Sequence, residues 1–194
     1  MSNTLPLFQQ YTPYDTKIVK TATQYGLYLI GGTAIDLLCR YYSIPFWRSR
    51  SNNDLDFWTT YDNNHKNRFI RHIKSTLEFV VKEDSDYMLS LESSSIYTDM
   101  DILIDYDLNN SRFGYTVNDI NVMSPIYLFT SKFDRYVNCN NAQRKTTDFK
   151  DLQTLLLLIE RTNGFDELEN HLSALNYDQR AEDALNGIIA SMGY

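Results

Sequence analysis

The sequence predicts an α+β fold, in which a mixed β-sheet is flanked by helices and is followed by an α-helical C-terminal part. Short segments of alternating polar and apolar residues recur between residues 27 and 123, which is typical of half-buried strands. Segments with helical spacing of apolar residues lie between some of these strands. After residue 124 only segments with helical spacing follow. We therefore predict a core over residues 1–123 and a helical lobe over residues 124–194.

The composition is that of an ordinary folded protein, since 43% of the 194 residues are hydrophobic and 22% are charged. No apolar run approaches the ~20 residues of a membrane span, and the N-terminus lacks the pattern of a secretory signal, so we expect a cytoplasmic protein. A net charge of −7 argues against nucleic-acid binding over the whole surface. Basic residues nevertheless concentrate within 40–74 and 132–150, whereas 83–107 holds eight acids and no Lys or Arg.

The first elements are a helix, a strand and a second helix. Residues 14–25 have helical spacing, and Gly26 ends that helix before the apolar run 27–30, which predicts a buried strand. The sequence Gly-Gly-Thr at 31–33 predicts a tight turn into a helix whose apolar residues continue to Tyr42. Adjacent glycines let backbone N–H groups approach a ligand, and a helix N-terminus favours phosphate.

The segment 54–59 predicts the next strand and carries two carboxylates. Asp54 and Asp56 project from one face of this strand, with Leu55 and Phe57 on the other face. Neighbouring carboxylates repel each other unless a cation lies between them. Two interpretations of this pair are therefore open: a metal site, or a strand face exposed to solvent.

A basic amphipathic helix with Phe69 and Ile73 on its apolar side is predicted to follow and to cover one face of the sheet. Residues 79–81, 87–91 and 97–104 then predict three strands, which place an antiparallel part in the middle of the sequence. We expect one more strand over 115–123.

The C-terminal part is predicted to be helical. Ser124-Pro125 is a typical helix start, and the first helix covers residues 126–137. We expect Thr146 or Thr147 to cap the next helix, which ends before Asn163-Gly164, and two further helices over 165–175 and 178–192.

The glycine turn, the helix and the Asp-x-Asp strand together resemble the signature of the DNA polymerase beta-like nucleotidyltransferase superfamily. The arginine-bearing approach RSRSNNDLDFW is most similar to the AbiEii/MenT toxin-type branch. The resemblance covers most of the chain and implies a nucleotidyltransferase-like sheet core. It also implies an enzyme that moves a nucleoside monophosphate from a nucleoside triphosphate onto an acceptor.

The resemblance implies roles for particular residues. Asp54, Asp56 and Asp101 would hold Mg²⁺, with Mn²⁺ as an alternative ion, and Asp101 is preferred over Asp99 as the third acid. Lys132 and Asp148 match the later motifs of the toxin branch imperfectly, and Asp151 matches less firmly. The nucleotide-binding residues implied are Gly31, Gly32, Thr33, Arg48, Arg50 and Lys132, and the catalytic residues implied are Asp54, Asp56, Asp101, Lys132 and Asp148.

The acceptor and the partners also come from the resemblance alone. In the toxin branch the acceptor is typically tRNA, and a small antitoxin protein accompanies the toxin. One alternative keeps the chemistry but transfers to a small molecule, such as an aminoglycoside or lincosamide, or to a protein hydroxyl. Another alternative is a nucleotide-binding module without catalysis.

Overall fold

A computed structural model describes residues 13–47, 54–60, 64–77, 79–93, 98–107, 113–175 and 177–193. The chain forms two compact units. The first unit comprises residues 1–37 and 49–123, and the second comprises residues 38–48 and 124–194. Arg48 and Arg50 lie outside the described residues.

The first unit is built on a mixed sheet of seven strands, counted over the described residues, in the order β3-β4-β5-β2-β1-β7-β6. β2 pairs in parallel with β5, and β1 pairs in parallel with β7, whereas the other neighbours are antiparallel. The predicted α+β class with a mixed sheet is therefore confirmed. The strands are β1 Tyr28–Leu29, β2 Leu55–Thr60, β3 Val80–Asp84, β4 Met88–Ser93, β5 Thr98–Asp105, β6 Gly114–Val117 and β7 Ile120–Met123.

Three helices accompany these strands in the chain: α1 Pro13–Gln24, α2 Gly31–Tyr42 and α3 Lys66–Leu77. The apolar side predicted for α3 is confirmed, because Phe69 and Ile73 are buried. Phe69 packs its ring against Phe57 of β2, with the ring centroids 6.2 Å apart. This contact shows that α3 covers the apolar face of β2.

The single strand predicted over 115–123 is wrong, because β6 and β7 form a hairpin there. Val117 pairs with Ile120, so Asn118 and Asp119 make a two-residue turn. Both turn residues have positive φ, at 47° and 62°. Asn and Asp tolerate this left-handed backbone better than other non-glycine residues, and two such residues in succession are typical of the turn that joins tightly paired antiparallel strands.

The second unit contains four further helices in its described part. They are α4 Pro125–Asn138, α5 Ala142–Arg161, α6 Phe165–Ala174 and α7 Gln179–Ser191. The Ser124 cap is confirmed, since its hydroxyl accepts from the Tyr127 N–H at 3.2 Å. Asn163 lies in the left-handed region after α5, which confirms the predicted helix end.

The predicted capping of α5 by Thr146 or Thr147 is wrong. Asn141 is the N-cap instead, and its side chain accepts from the Arg144 N–H at 3.0 Å. The two threonines lie within the first turns, where their hydroxyls donate to the backbone carbonyls of Ala142 and Gln143. Because Asn is at least as good an N-cap as Thr, the helix begins one turn earlier than expected.

Candidate functional site

Two of the three predicted acids, Asp56 and Asp101, lie on one face of the sheet in the first unit. Leu55 and Phe57 of β2 are buried, while Asp56 between them is half-buried and Asp54 just before them is exposed. Asp56 lies beside Asp101, because these two residues are Cα partners in the parallel pair of β2 and β5. Side chains of residues in register point to the same side of a sheet. Asp56 and Asp101 therefore project side by side.

The glycine turn contacts the same acids. Gly31 has φ +68°, and a Cβ atom built on it would lie 2.0 Å from Asp56 Oδ2. The Ile30 N–H donates to the Asp56 carbonyl at 2.9 Å, and the buried Thr33 donates its hydroxyl to the Asp54 carbonyl at 3.3 Å. The structure thus brings the start of α2 and the Asp-x-Asp segment into direct contact. Only a residue without a Cβ leaves this space to the Asp56 carboxylate.

The amino end of α2 faces this arrangement. The helix begins at Gly31, so Gly31 and Gly32 are its first two residues and Thr33 is its third. The first turn carries no acidic residue of its own. Unpaired N–H groups and the helix dipole make such a start favourable for an anion.

Asp101 has a second neighbour that sequence reasoning missed. The Ser90 hydroxyl on β4 donates to Asp101 Oδ1 at 2.5 Å, and the two residues are Cα partners. Ser90 alternates with the buried Leu89 and Leu91, which is the signal that could have placed it on the acidic face. This hydrogen bond limits the orientations of the Asp101 carboxylate.

Further acids follow on β4 and β5, where Glu92 is the Cα partner of Asp99. Lys82 of β3 forms an exposed ion pair with Glu92, with 3.1 Å between Nζ and Oε1. The hydrogen bond that the Lys82 ammonium donates to Glu92 raises its pKa above the usual value, and the charges of Asp99 and Asp101 add to that shift. The electrostatic environment of the acidic face therefore favours a cation.

The described residues contain no group of three or more His, Cys, Asp or Glu side chains already gathered as a metal site. The chemistry of the donors fits Mg²⁺, because carboxylate oxygens are its usual protein ligands. The positions of the acids fit a metal site as well. Asp56 and Asp101 lie side by side, and the Asp56 carboxylate lies against Gly31 at the start of α2. The three-acid ligand set stays a prediction.

The second unit contains a buried cluster of charges between α4 and α5. Lys132 lies 2.8 Å from Asp151 Oδ2 and 3.7 Å from Asp148 Oδ1. Both aspartates are fully buried, and the Lys132 side chain is 9% exposed. Buried carboxylates are stable as ions only when cations and donors surround them. The cluster explains why these charged residues occur on otherwise apolar helix faces.

Two more residues complete this cluster. Arg135 is bidentate on Asp148, with Nε donating to Oδ2 at 2.8 Å and Nη2 donating to Oδ1. Trp47 donates its indole N–H to Asp151 Oδ1 at 2.9 Å. Arg135 is thus the partner of Asp148, and Lys132 lies closer to Asp151 than to Asp148. No local signal in the sequence links Trp47 to Asp151, which is 104 residues away.

None of the helices in the described part of the chain combines the length and hydropathy that crossing a bilayer requires.

No protein-family model matches the chain, and no curated protein does. Among solved structures, the chain is similar to ANT(2″)-Ia in complex with adenylyl-2″-tobramycin, at 16% identity and TM-score 0.57, over 84% of this chain and 97% of that one. It is also similar to the Megavirus polyadenylate synthase, at 16% identity and TM-score 0.53, over 76% of this chain and 32% of that one. An antigenic nucleotidyltransferase-like protein from Paracoccidioides brasiliensis aligns at 15% identity and TM-score 0.50, over 91% and 92%.

These similarities agree with the architecture of sheet and helices described above. At such low sequence identity they support the fold alone, and membership of the AbiEii/MenT branch stays a prediction. The expected nucleotidyltransferase-like fold is confirmed.

Proposed function

We propose that this protein is a divalent-metal-dependent nucleotidyltransferase, which moves a nucleoside monophosphate from a nucleoside triphosphate onto an acceptor. One observation carries the proposal. The Asp56 carboxylate lies directly over the Cα of Gly31, at the amino end of α2, and next to Asp101 on the neighbouring strand. The N–H groups at a helix start bind phosphate, and neighbouring carboxylates bind the metal ion that accompanies a triphosphate.

Each group has a role in this proposal. The N–H groups at the start of α2, from Gly31 to Thr33, bind phosphate oxygens. Asp54, Asp56 and Asp101 hold Mg²⁺ or Mn²⁺, which when bound neutralises charge on the phosphate oxygens. Asp101 is proposed either to bind the metal with the other two acids or to accept the proton of the acceptor hydroxyl.

The resemblance implies further site residues, which are not among the contacts of Gly31, Asp56 and Asp101 described above. Lys132 is proposed to neutralise phosphate, and Arg48 or Arg50 to assist it. Asp148 and Asp151 hold the Lys132 ammonium, as their distances of 3.7 and 2.8 Å support. These assignments are separable from the metal site, because they can be tested by single substitutions.

Two acceptor classes are proposed, each on a different ground. The resemblance to the toxin branch favours tRNA, with an antitoxin protein as partner. The acidic face of the first unit favours a cationic small molecule, because Asp99 precedes Asp101 by two residues on β5 and is paired with Glu92 of β4. The raised pKa of the neighbouring Lys82 ammonium agrees with this. ANT(2″)-Ia, whose structure contains an adenylylated aminoglycoside, aligns with 84% of the chain.

A transfer assay tests the proposal. The protein is incubated with each radiolabelled nucleoside triphosphate and Mg²⁺, with total tRNA in one arm and an aminoglycoside or a lincosamide in the other arms. We expect label to move to one acceptor and to require the metal. Asp56→Asn should lower the rate by at least about 100-fold, since several kcal/mol of charge stabilisation are lost.

The matched control is Asp86→Asn, which removes one exposed acid from the turn between β3 and β4. Its rate should equal that of the wild-type protein. Triphosphate binding without transfer to any acceptor would support the non-catalytic module instead. Transfer that survives Asp54→Asn combined with Asp56→Asn would refute the proposed roles of these acids.

A further inference from the structure

We propose that Trp47 is a positioning residue for Lys132 and acts through the carboxylate of Asp151. This inference rests on the proposed function, in which Lys132 neutralises phosphate. All of its members lie in the second unit and are connected by described contacts. Trp47 belongs to none of the motifs on which the resemblance is based.

Asp151 contacts both Trp47 and Lys132, through different oxygens. Its Oδ1 accepts from the Trp47 indole N–H at 2.9 Å, and its Oδ2 lies 2.8 Å from the Lys132 ammonium. Because these two contacts lie on different oxygens, together they restrict the rotation of the carboxylate plane, and that plane in turn restricts where the ammonium lies. Asp151 is fully buried and the Lys132 side chain nearly so, which strengthens their contact relative to one in water.

Asp148 does not fix Lys132 in the same way. Arg135 already donates to both of its carboxylate oxygens. The Lys132 ammonium lies 3.7 Å from Asp148 Oδ1, which is an ionic contact beyond hydrogen-bond distance. The position of the ammonium therefore follows Asp151 more closely than Asp148.

Burial alone does not explain a tryptophan at position 47. Trp47 is 39% exposed, whereas Trp58, the other tryptophan of the chain, is 1% exposed. The Lys150 ammonium lies 4.9 Å from the centroid of the Trp47 ring and contributes a cation–π contact. The distinctive contribution of Trp47 is thus a fixed indole N–H, directed at a buried carboxylate.

The test removes that N–H and keeps an aromatic ring. Trp47→Phe is compared with Trp58→Phe, which removes the equivalent indole donor to Asp105 Oδ2, at 3.0 Å in the wild-type structure. The first readout is the rate at which an amine-acylating reagent labels Lys132, followed by peptide mass spectrometry. Trp47→Phe should raise this rate about ten-fold, since a hydrogen bond to a charged group is lost. Trp58→Phe should leave it unchanged.

The second readout is the steady-state kinetics of transfer. Trp47→Phe should raise KM for the nucleoside triphosphate about five-fold and change kcat less than about two-fold, because a displaced Lys132 weakens ground-state binding. Unchanged labelling of Lys132 in Trp47→Phe would overturn the inference, and so would faster labelling with unchanged KM. If the wild-type protein transfers nothing, faster labelling still supports the positioning of Lys132 and only the proposed function fails.

Discussion

Gly31→Ala perturbs the contact on which the candidate site depends. A left-handed backbone at φ +68° costs an alanine about 1–2 kcal/mol. The new Cβ would also lie 2.0, 2.8 and 3.0 Å from Oδ2, Cγ and Cβ of Asp56. Moving that side chain off its preferred rotamer costs about 0.5–1.5 kcal/mol more. We expect a total loss of roughly 1.5–3.5 kcal/mol in the free energy of unfolding, or roughly 3–14 °C in Tm for a chain of this size.

The assay pairs thermal unfolding with calorimetry of nucleoside triphosphate binding in the presence of Mg²⁺. Gly31→Ala should lower Tm and also abolish measurable binding of the triphosphate, because the new methyl group displaces the Asp56 carboxylate from the start of α2. Gly187→Ala is the matched control, since its Cβ would meet nothing within 4 Å in α7. It should raise stability by about 0.5–1 kcal/mol and leave binding unchanged.

Gly114→Ala separates steric strain from the site. Its Cβ would lie 2.3 Å from Cε1 of Tyr28, so Tm should fall by an amount that corresponds to about 1–3 kcal/mol. Binding of the triphosphate should persist in the folded protein. A Gly31→Ala protein that binds metal and triphosphate as the wild type does would refute the reasoning about Asp56.

Three further predictions concern stability, each measured by urea unfolding at neutral pH. Asp148→Asn should lower the free energy of unfolding by about 3–5 kcal/mol, because it removes the charge that compensates Lys132 and Arg135. The control is Asp134→Asn, at an exposed position of α4. Equal losses in the two variants would contradict the role of the buried cluster. Ser124→Ala should cost about 1 kcal/mol by removing the cap of α4, and no loss would mean that the cap is dispensable. Asp119→Gly should stabilise by about 0.5–1 kcal/mol, since glycine suits φ 62°; destabilisation would speak against the hairpin turn.

Much of the fold follows from local patterns in the sequence. Alternation in 54–59 and 97–104 places Asp56 and Asp101 opposite apolar residues, and the structure has the same alternation. The serine and proline at 124–125 begin α4 as expected. Such features are predictable because burial and capping act over a few neighbouring residues.

Other features depend on contacts that no local pattern encodes. The register that sets Asp56 beside Asp101 arises from the pairing of two strands separated by a helix and two other strands. The bond from Trp47 to Asp151 spans 104 residues. The predictions of a single strand over 115–123 and of a threonine cap for α5 were wrong for a different reason. The Asn118-Asp119 turn lacks the glycine that usually marks a two-residue hairpin turn, and Asn141 is at least as good an N-cap as Thr146 or Thr147.

The central claim is that the start of α2 and the acids of β2 and β5 form one site for a metal-bound triphosphate. Calorimetric titration of nucleoside triphosphate, with and without Mg²⁺, into wild-type and Asp56→Asn protein tests it most directly. We predict that the wild type binds only when Mg²⁺ is present, and that Asp56→Asn weakens binding at least about ten-fold while Tm changes little. Equal affinity of the two proteins, or binding that does not depend on the ion, would contradict the claim.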